Sequence, residues 1–338
     1  MTHAVVREFE AADLAAASEL VAARFARLRS GEPRLADSAS DARRCRAALE
    51  ELLQRPHVGG AVATWAGEPI GFVLAQANVT ALDAPQSYFS PPHSVSTPLG
   101  AHACAGSEDP AEVYPALYAA LAERWVVDGF LDHGISALAN EREVHDVFAS
   151  LGFGRHFALA LRGLEPLSEP TRVDLELREA GEKEQDDLFA LTAELRAFHA
   201  RAPMFQANPR MLRHGQEALV RWLQQQPRCP SFLAYRAGRP VGLFLFAPSS
   251  FVSTPYRRDD VAYLLQAVVL PSERGGGAGA ALLQHALAWL RGEGFAGCGL
   301  HYLTGNPSGP PFWTRHGFRA AEYHLRRIVD PRIAWSAR

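Results

Sequence analysis

The sequence predicts an α/β protein built from two tandem copies of one domain, each a mixed, mainly antiparallel sheet flanked by helices. Two sets of internal matches in register, and a glycine-rich junction between a strand and a helix, carry that expectation. "VVREFEAADL" near the start resembles "ELREAGEKEQ" from Glu176, with Arg7 matching Arg178 at an offset of 171. The same offset pairs Ile70-Gly71-Phe72 with Val241-Gly242-Leu243. Further along, "GFLDHGI" from Gly129 matches "GFAGCGL" from Gly294 at an offset of 165, which also pairs Gly152-Phe153 with Gly317-Phe318. Each match is weak alone, but their common order argues for a duplicated unit of about 165 residues. "GLEPLSEPT", Gly163 to Thr171, reads as the linker, so the expected domains are 1–165 and 170–338.

The elements follow in the same order in both copies. Val5 to Phe9 reads as a short strand, and Leu14, Ala17, Val21, Phe25 and Leu28 form a helical stripe. A second helix is expected around Ala42 to Leu53. Ala61 to Trp65 and Ile70 to Gln76 read as a hairpin around the turn "AGEP". In the second copy the stripe is Leu188, Leu191, Leu195 and Phe198, and the hairpin is Phe232 to Arg236 and Val241 to Phe246 around "AGRP". Val261 to Leu270 is an apolar, β-rich strand, and Leu282, Leu283, Ala286, Leu287 and Leu290 fall at helical spacing after it. Hairpins followed by strand-helix-strand units give a mixed sheet with helices on its faces.

Composition narrows the function. The chain has 338 residues, 48% hydrophobic and 21% charged, with a net charge of -3, and Lys183 is its only lysine. This balance carries no electrostatic footprint for nucleic acid or an anionic membrane. Arg7, Glu8 and Glu10 precede any apolar segment of signal-peptide length, and there is no 18-residue apolar run. Cys45, Cys104, Cys229 and Cys298 lie far apart without CxxC spacing, which fits reduced thiols in a cytoplasmic protein. The thirteen histidines are scattered without an HExxH pair, so no metal site is expected.

"VVLPSERGGGAGAALL", residues 268–283, places four glycines within the five positions 275–279, where a strand ends and a helix begins. Exposed N–H groups at such a helix start bind anions, and glycine lets a phosphate approach the backbone. A P-loop would need GxxxxGK[ST], and lysine is absent here. Gly275, Gly277 and Ala280 formally fit GxGxxA, but too little chain follows for a dinucleotide fold, and the next strand lacks its acidic residue. A glycine-rich loop with no ligand is the remaining alternative.

The stretch "VVLPSERGGGAG" resembles the R-x-x-G-x-G signature of the GNAT superfamily of N-acetyltransferases. "NPSGPPFWTRHGF", Asn306 to Phe318, is similar to that family's N-x-x-A-x-x-F-Y-x-x-x-G-F ending. The resemblance implies two tandem GNAT-like domains and an acetyl-CoA acyl donor lying where the strands ending at Leu270 and around Leu300 splay apart. Backbone groups of Ala267, Val268 and Val269 would pair with the pantetheine arm. Arg274 and the N–H groups of Gly275, Gly276, Gly277, Ala278, Gly279 and Ala280 would hold the pyrophosphate, with Asn306 and Trp313 opposite.

The family's usual proton donor is the tyrosine of the F-Y pair, and Trp313 stands there, unable to give up a proton at working pH. Gln266 occupies a strand position where some relatives carry an acid. His301 and Tyr302 are the candidate catalytic residues; they alternate faces, so one alone can enter the cleft. His301 has the better pKa for a base, and a packed strand histidine is the equal alternative. In the first copy, Asp109, Glu112 and Tyr114 replace Arg274, Gly277 and Gly279, and Phe148 stands opposite Trp313. Carboxylates repel a pyrophosphate, so this degenerate copy is expected not to bind CoA. Asp83 to Gly100 reads as a long Pro/Ser-rich surface loop. Arg201, Arg210 and Arg213 hint at an anionic acceptor, or at a solvated basic face.

The expected function is transfer of an acetyl group from acetyl-CoA to an amine of a small molecule by direct attack. A non-catalytic acyl-CoA-binding or sensor protein is the alternative. The partners are then acetyl-CoA and an amine acceptor, with a homodimer open, and neither nucleic acid nor membrane.

Overall fold

Ala66-Gly67 and Ala237-Gly238 close two hairpins with the same backbone: φ is 49° and 88° in the first, 49° and 73° in the second. Two consecutive left-handed residues make the turn whose twist matches paired strands, which is why glycine follows alanine in both. The computed structural model describes residues 4–82, 84, 87, 90–168, 173–207, 213–252 and 254–336.

The chain divides into two units: Met1–Phe157 with Ser253–Tyr256 and Ala321–Arg338, and Ala158–Val252 with Arg257–Ala320. In the first, β1 (Val5–Glu8), α1 (Leu14–Leu28) and α2 (Ala42–Leu53) precede the hairpin β2 (Val58–Trp65) and β3 (Glu68–Asn78). Then come β4 (Ser94–Thr97), β5 (His102–Cys104), α3 (Pro110–Val127), β6 (Asp132–Leu138) and α4 (Arg142–Ser150). The strand β7 (Gly154–Gly163) runs from the first unit into the second. The second unit holds β8 (Glu176–Glu179), α5 (Gln185–His199), α6 (Arg213–Gln224), β9 (Ser231–Arg236), β10 (Arg239–Ala247) and β11 (Val261–Val269). It closes with α7 (Ala278–Gly292), β12 (Gly297–Leu303) and α8 (Gly309–Arg315), and β13 (Arg319–Ile328) returns to the first unit.

Strand order is β1-β2-β3-β4-β6-β13 in the first unit, with β5 also on β3, and β7-β12-β11-β10-β9-β8 in the second. Each unit is therefore finished by the other copy's last strand. β13 pairs antiparallel with β6 from Glu322↔Leu138 to Ile328↔Asp132, burying Leu325 among Tyr114, Leu117 and Phe148. β7 lies beside β12 and sends Ala160 into the core of Phe232, Phe244, Leu282 and Leu287. The division into units departs from the repeat junction at these strands, because main-chain pairing joins any two strand edges that meet and leaves no mark in side-chain similarity.

The repeated Gly71 and Gly242 have one physical cause. A Cβ on Gly71 would lie 2.6 Å from Val113 of α3, and one on Gly242 would lie 2.9 Å from Leu282 of α7. Each glycine lets a helix sit close on the middle of its sheet. The segment Asp83 to Gly100 is not wholly a loop: Ser94–Thr97 is a strand, antiparallel to β3 and parallel to β6. Its sequence "SVST" is too short to signal a strand by itself, though Val95 and Thr97 favour one, and pairing on both edges makes it one. Part of that segment, residues 169–172 of the linker and Arg210 lie outside the described residues.

Candidate functional site

β11 and β12 pair in parallel only from Val261↔Gly297 to Leu264↔Leu300. Beyond that vertex β11 continues to Val269 and β12 to Leu303 with no ladder between them, so the strands part. Ala267, Val268 and Val269 lie on the diverging stretch, their other edge paired to Phe244, Leu243 and Gly242.

A β-bulge sets what faces each way. The β10 register jumps from Leu245↔Gln266 to Phe246↔Leu264, so one residue of β11 is extra. Ala262 and Leu264 belong to the core under α7, and after the bulge Ala267 and Val269 do. Gln266 therefore joins Tyr263 on the opposite face, toward α5. The Gln266 side chain is 3% exposed, its Oε1 accepts a hydrogen bond from Thr192 of α5 at 2.8 Å, and its Nε2 has no partner among the described residues.

The glycines head α7. Gly275 and Gly277 have φ of 79° and 84°, and Gly277 is the N-cap, with no side chain closing the helix end. The first intrahelical bond runs from the Ala281 N–H to the Gly277 carbonyl at 2.9 Å, so the amides of Ala278, Gly279 and Ala280 precede the ladder. Unbonded N–H groups, the positive end of the helix dipole and a left-handed turn suit an anion. Gly279 has a second duty: a Cβ there would lie 3.2 Å from the Phe312 ring, so it also brings α7 and α8 together. Arg274 donates from Nε to the Val269 carbonyl at 3.1 Å, and its guanidinium sits 4.2 Å from the Phe198 ring centroid. The sequence-predicted cradle is thus contiguous, with Arg274 across the end of β11.

The other candidates separate. Tyr302 packs against the core under α7, and His301 points to the opposite face, where its Nδ1 is 2.7 Å from the Tyr263 hydroxyl. Burial pushes the His301 imidazole down to about 4, so it is neutral at pH 7. Trp313 is 8% exposed and packed between Phe244 and Phe318 at centroid distances of 6.0 and 5.2 Å. The Oδ1 of Asn306 accepts from the Ser308 and Gly309 amides at 3.0 and 3.1 Å, capping α8. Arg201 is exposed, and Arg213 is paired with Glu217 on α6.

The first unit presents a different helix start. Asp109 caps α3, accepting from the Ala111 amide at 2.8 Å. Tyr114 is 1% exposed and its hydroxyl meets His102 Nδ1 at 2.8 Å, while His102 Nε2 reaches the Ser136 carbonyl of β6 at 2.8 Å. A carbonyl only accepts, so Nε2 carries the proton and Tyr114 donates to Nδ1. Arg24, 1% exposed, donates to Glu141 at 2.7 and 2.6 Å and to the Leu99 and His102 carbonyls at 2.7 and 2.8 Å. Burial alone would raise the Glu141 carboxyl; the guanidinium outweighs it and holds the group below the usual carboxylate range. His102 thus links β5 to α3 and β6 through buried hydrogen bonds.

Burial, aided by the Arg24 charge, lowers His102 to about 3. The unfolded chain then binds more protons than the folded one between about pH 3 and 6.5, so stability is intact above 6.5 and falls below it. The loss attributable to His102 is on the order of 3 kcal/mol by pH 4. Urea midpoints from pH 7 to 4 should fall less steeply for His102→Gln than for the parent; equal slopes would contradict the assignment.

Residues 193–318 match the model of the Acetyltransferase (GNAT) family. That span is a GNAT domain. It contains the whole glycine cradle, the parting strands and α8. Over the full length, the structure resembles a GCN5-related N-acetyltransferase from Sphaerobacter thermophilus, with a TM-score of 0.62 and 15% identity, covering 97% of this chain and 96% of that one. It also resembles a tandem GNAT protein from the clavulanic acid biosynthesis pathway, with a TM-score of 0.51 and 12% identity, covering 97% and 99%. At these identities the likeness is one of fold, and the chain is a tandem of two GNAT folds. No curated protein matches the sequence. The GNAT domain assigns the second unit to acyl transfer in general.

Sequence reading gave no site role to Tyr263, Thr192 or Phe198, the last read only as part of the α5 stripe. Tyr263 and Gln266 are three apart, which places them on opposite faces of a regular strand, and only the bulge unites them.

Proposed function

We propose that the second unit binds acetyl-CoA and transfers its acetyl group to an amine of a small-molecule acceptor by direct attack. The observation that carries this is the uncapped, glycine-built start of α7 beside the strands that part after Leu264 and Leu300. A pyrophosphate fits the amides from Gly275 to Ala280, with Arg274 moving from the Val269 carbonyl to meet it. The pantetheine would pair with the open edge at Ala267, Val268 and Val269, where a backbone N–H polarises the thioester carbonyl. Asn306, its Oδ1 engaged in capping, would offer its Nδ2. Trp313 would serve as wall and not as acid. Of the catalytic candidates, His301 is the one on the acceptor face. The first unit, its helix end capped by Asp109 and its Tyr114 and His102 bonded to each other, would bind no CoA.

One observation favours a second reading, a non-catalytic acyl-CoA-binding protein: the buried Trp313 stands where the family carries its acid. Titration calorimetry with acetyl-CoA followed by thiol release over a panel of amines separates the two. Acyl transfer requires one site per chain and turnover with at least one amine. Binding without turnover leaves the second reading, and no binding removes both.

A further inference from the structure

Gln266 stands on β11 two residues past Leu264, the last one paired with β12, and so on the stretch where the two strands part. The bulge turns its side chain to the face that carries α5. It is 3% exposed, and Thr192 of α5, 4% exposed, donates to its Oε1 at 2.8 Å. Among the described residues the Thr192 hydroxyl has no other acceptor, so its proton goes to Gln266 and the amide is held with its oxygen toward the helix. That leaves Nε2 turned away from Thr192, shielded from solvent and without a partner among the described residues. A buried amide donor with no acceptor is costly, and beside an opening it points to a ligand that supplies one.

Two neighbours say where that ligand lies and what it carries. Leu270 donates to the Val241 carbonyl at 2.9 Å, and the alternation of an antiparallel ladder then turns the N–H and C=O of Ala267 to the open edge. Ala267 follows Gln266 directly, so the side-chain amide and the open backbone N–H belong to adjacent residues. Arg196, one turn on from Thr192 along the same buried face of α5, is 4% exposed. Its guanidinium stays charged at any working pH. Positive charge under the same helix favours an anionic oxygen over a cation.

We propose that Gln266 Nε2 donates a hydrogen bond to a carboxylate of the acceptor, so that the substrates of this site are amino acids, held by the carboxylate with the amine directed at the thioester. This rests on the reading of the second unit as an amine acetyltransferase and names the substrate class. A bond from an amide donor to a carboxylate is charge-assisted, and an amine without the carboxylate leaves Nε2 bare, which is how the site rejects it. The amide neither gains nor loses a proton, so Gln266 selects the acceptor and takes no part in the transfer.

The test compares glycine, β-alanine and 4-aminobutyrate with methylamine, ethylamine and propylamine, the same amines without the carboxylate. At least one pair should favour the amino acid in kcat/KM by about tenfold to a hundredfold. Gln266→Met, similar in size but without the donor, should bring that ratio down toward one, with acetyl-CoA affinity by calorimetry and the melting temperature as in the parent. Gln266→Glu, which sets a carboxylate against the substrate's own, should lower the ratio further. A second measurement needs no turnover. The Gln266 side-chain amide, identified in ¹⁵N–¹H spectra by its loss in Gln266→Met, should shift when an acetylated amino acid of the panel is added with CoA, and stay in place with the matched acetylated amine. A parent that prefers the simple amine in every pair, a Gln266→Met variant that slows both members of a pair alike, or an amide resonance that ignores the carboxylate overturns the assignment. If the parent binds acetyl-CoA but acetylates no amine, the acyl-transfer reading falls, and the amide resonance still decides whether Gln266 holds a carboxylate.

Discussion

Gly277→Glu should abolish acetyl-CoA binding while the protein stays folded. Gly277 holds a φ of 84° at the head of α7, with no side chain over the helix end. A non-glycine residue costs about 1–2 kcal/mol in that left-handed conformation. A carboxylate some 4 Å from a bound pyrophosphate adds about 1–4 kcal/mol of repulsion, depending on how wet the site is, and Glu112 is the residue the first copy carries at the matching position. The strain burdens free and bound protein alike, and the repulsion corresponds to roughly fivefold to a thousandfold in Kd, toward the upper end for a pyrophosphate, which carries more than one negative charge. Gly277→Asn tolerates the same backbone without charge, so it should keep binding within about tenfold. Calorimetry on both variants, with thermal unfolding to confirm folding, checks the pair. Unaltered affinity in Gly277→Glu would mean that the cradle lies elsewhere.

Glu141→Ala should be the most destabilising single change in the first unit. Arg24 is 1% exposed and makes four hydrogen bonds, to both Glu141 oxygens and to two backbone carbonyls. Glu141 also accepts from the Leu138 amide at 2.8 Å, which fixes the turn into α4. Removing the carboxylate leaves a buried guanidinium without its counter-charge, at a cost of about 3–5 kcal/mol. For a unit of this size that is on the order of 10 °C in melting temperature. Arg24→Met with Glu141→Leu removes both charges and should recover most of the loss. If Glu141→Ala melts within about 2 °C of the parent, the pair contributes far less than its burial implies.

Much of the fold was legible in side chains alone. The turns at Ala66-Gly67 and Ala237-Gly238, the stripes of α1 and α5 and the strand-glycine-helix order around Gly275 all rest on local chemistry, which composition and period record. The candidate cradle was legible for the same reason: consecutive N–H groups at a helix start need only glycine and a helix behind them. The strand "SVST" was not, because a run of four residues with a single apolar one, Val95, is too short to stand out until β3 and β6 pair with it. Gly279 read as room for a phosphate, and the fold adds its contact with Phe312.

The face assignments were beyond the sequence. A single extra residue in β11 reverses the side-chain alternation, so the partnership of Gln266 with Thr192 depends on a register that β10 imposes. The network of Arg24, Glu141, His102 and Tyr114 joins residues as much as 117 positions apart. The sequence by itself determined that the domain is duplicated and that only the second copy carries four glycines ahead of a helix, because both depend on residues adjacent along the chain. The tertiary structure alone decided which strand completes each unit, which of His301 and Tyr302 faces α5, and how His102 and Tyr114 pair. Those outcomes depend on main-chain pairing and burial between distant segments, which no local pattern encodes.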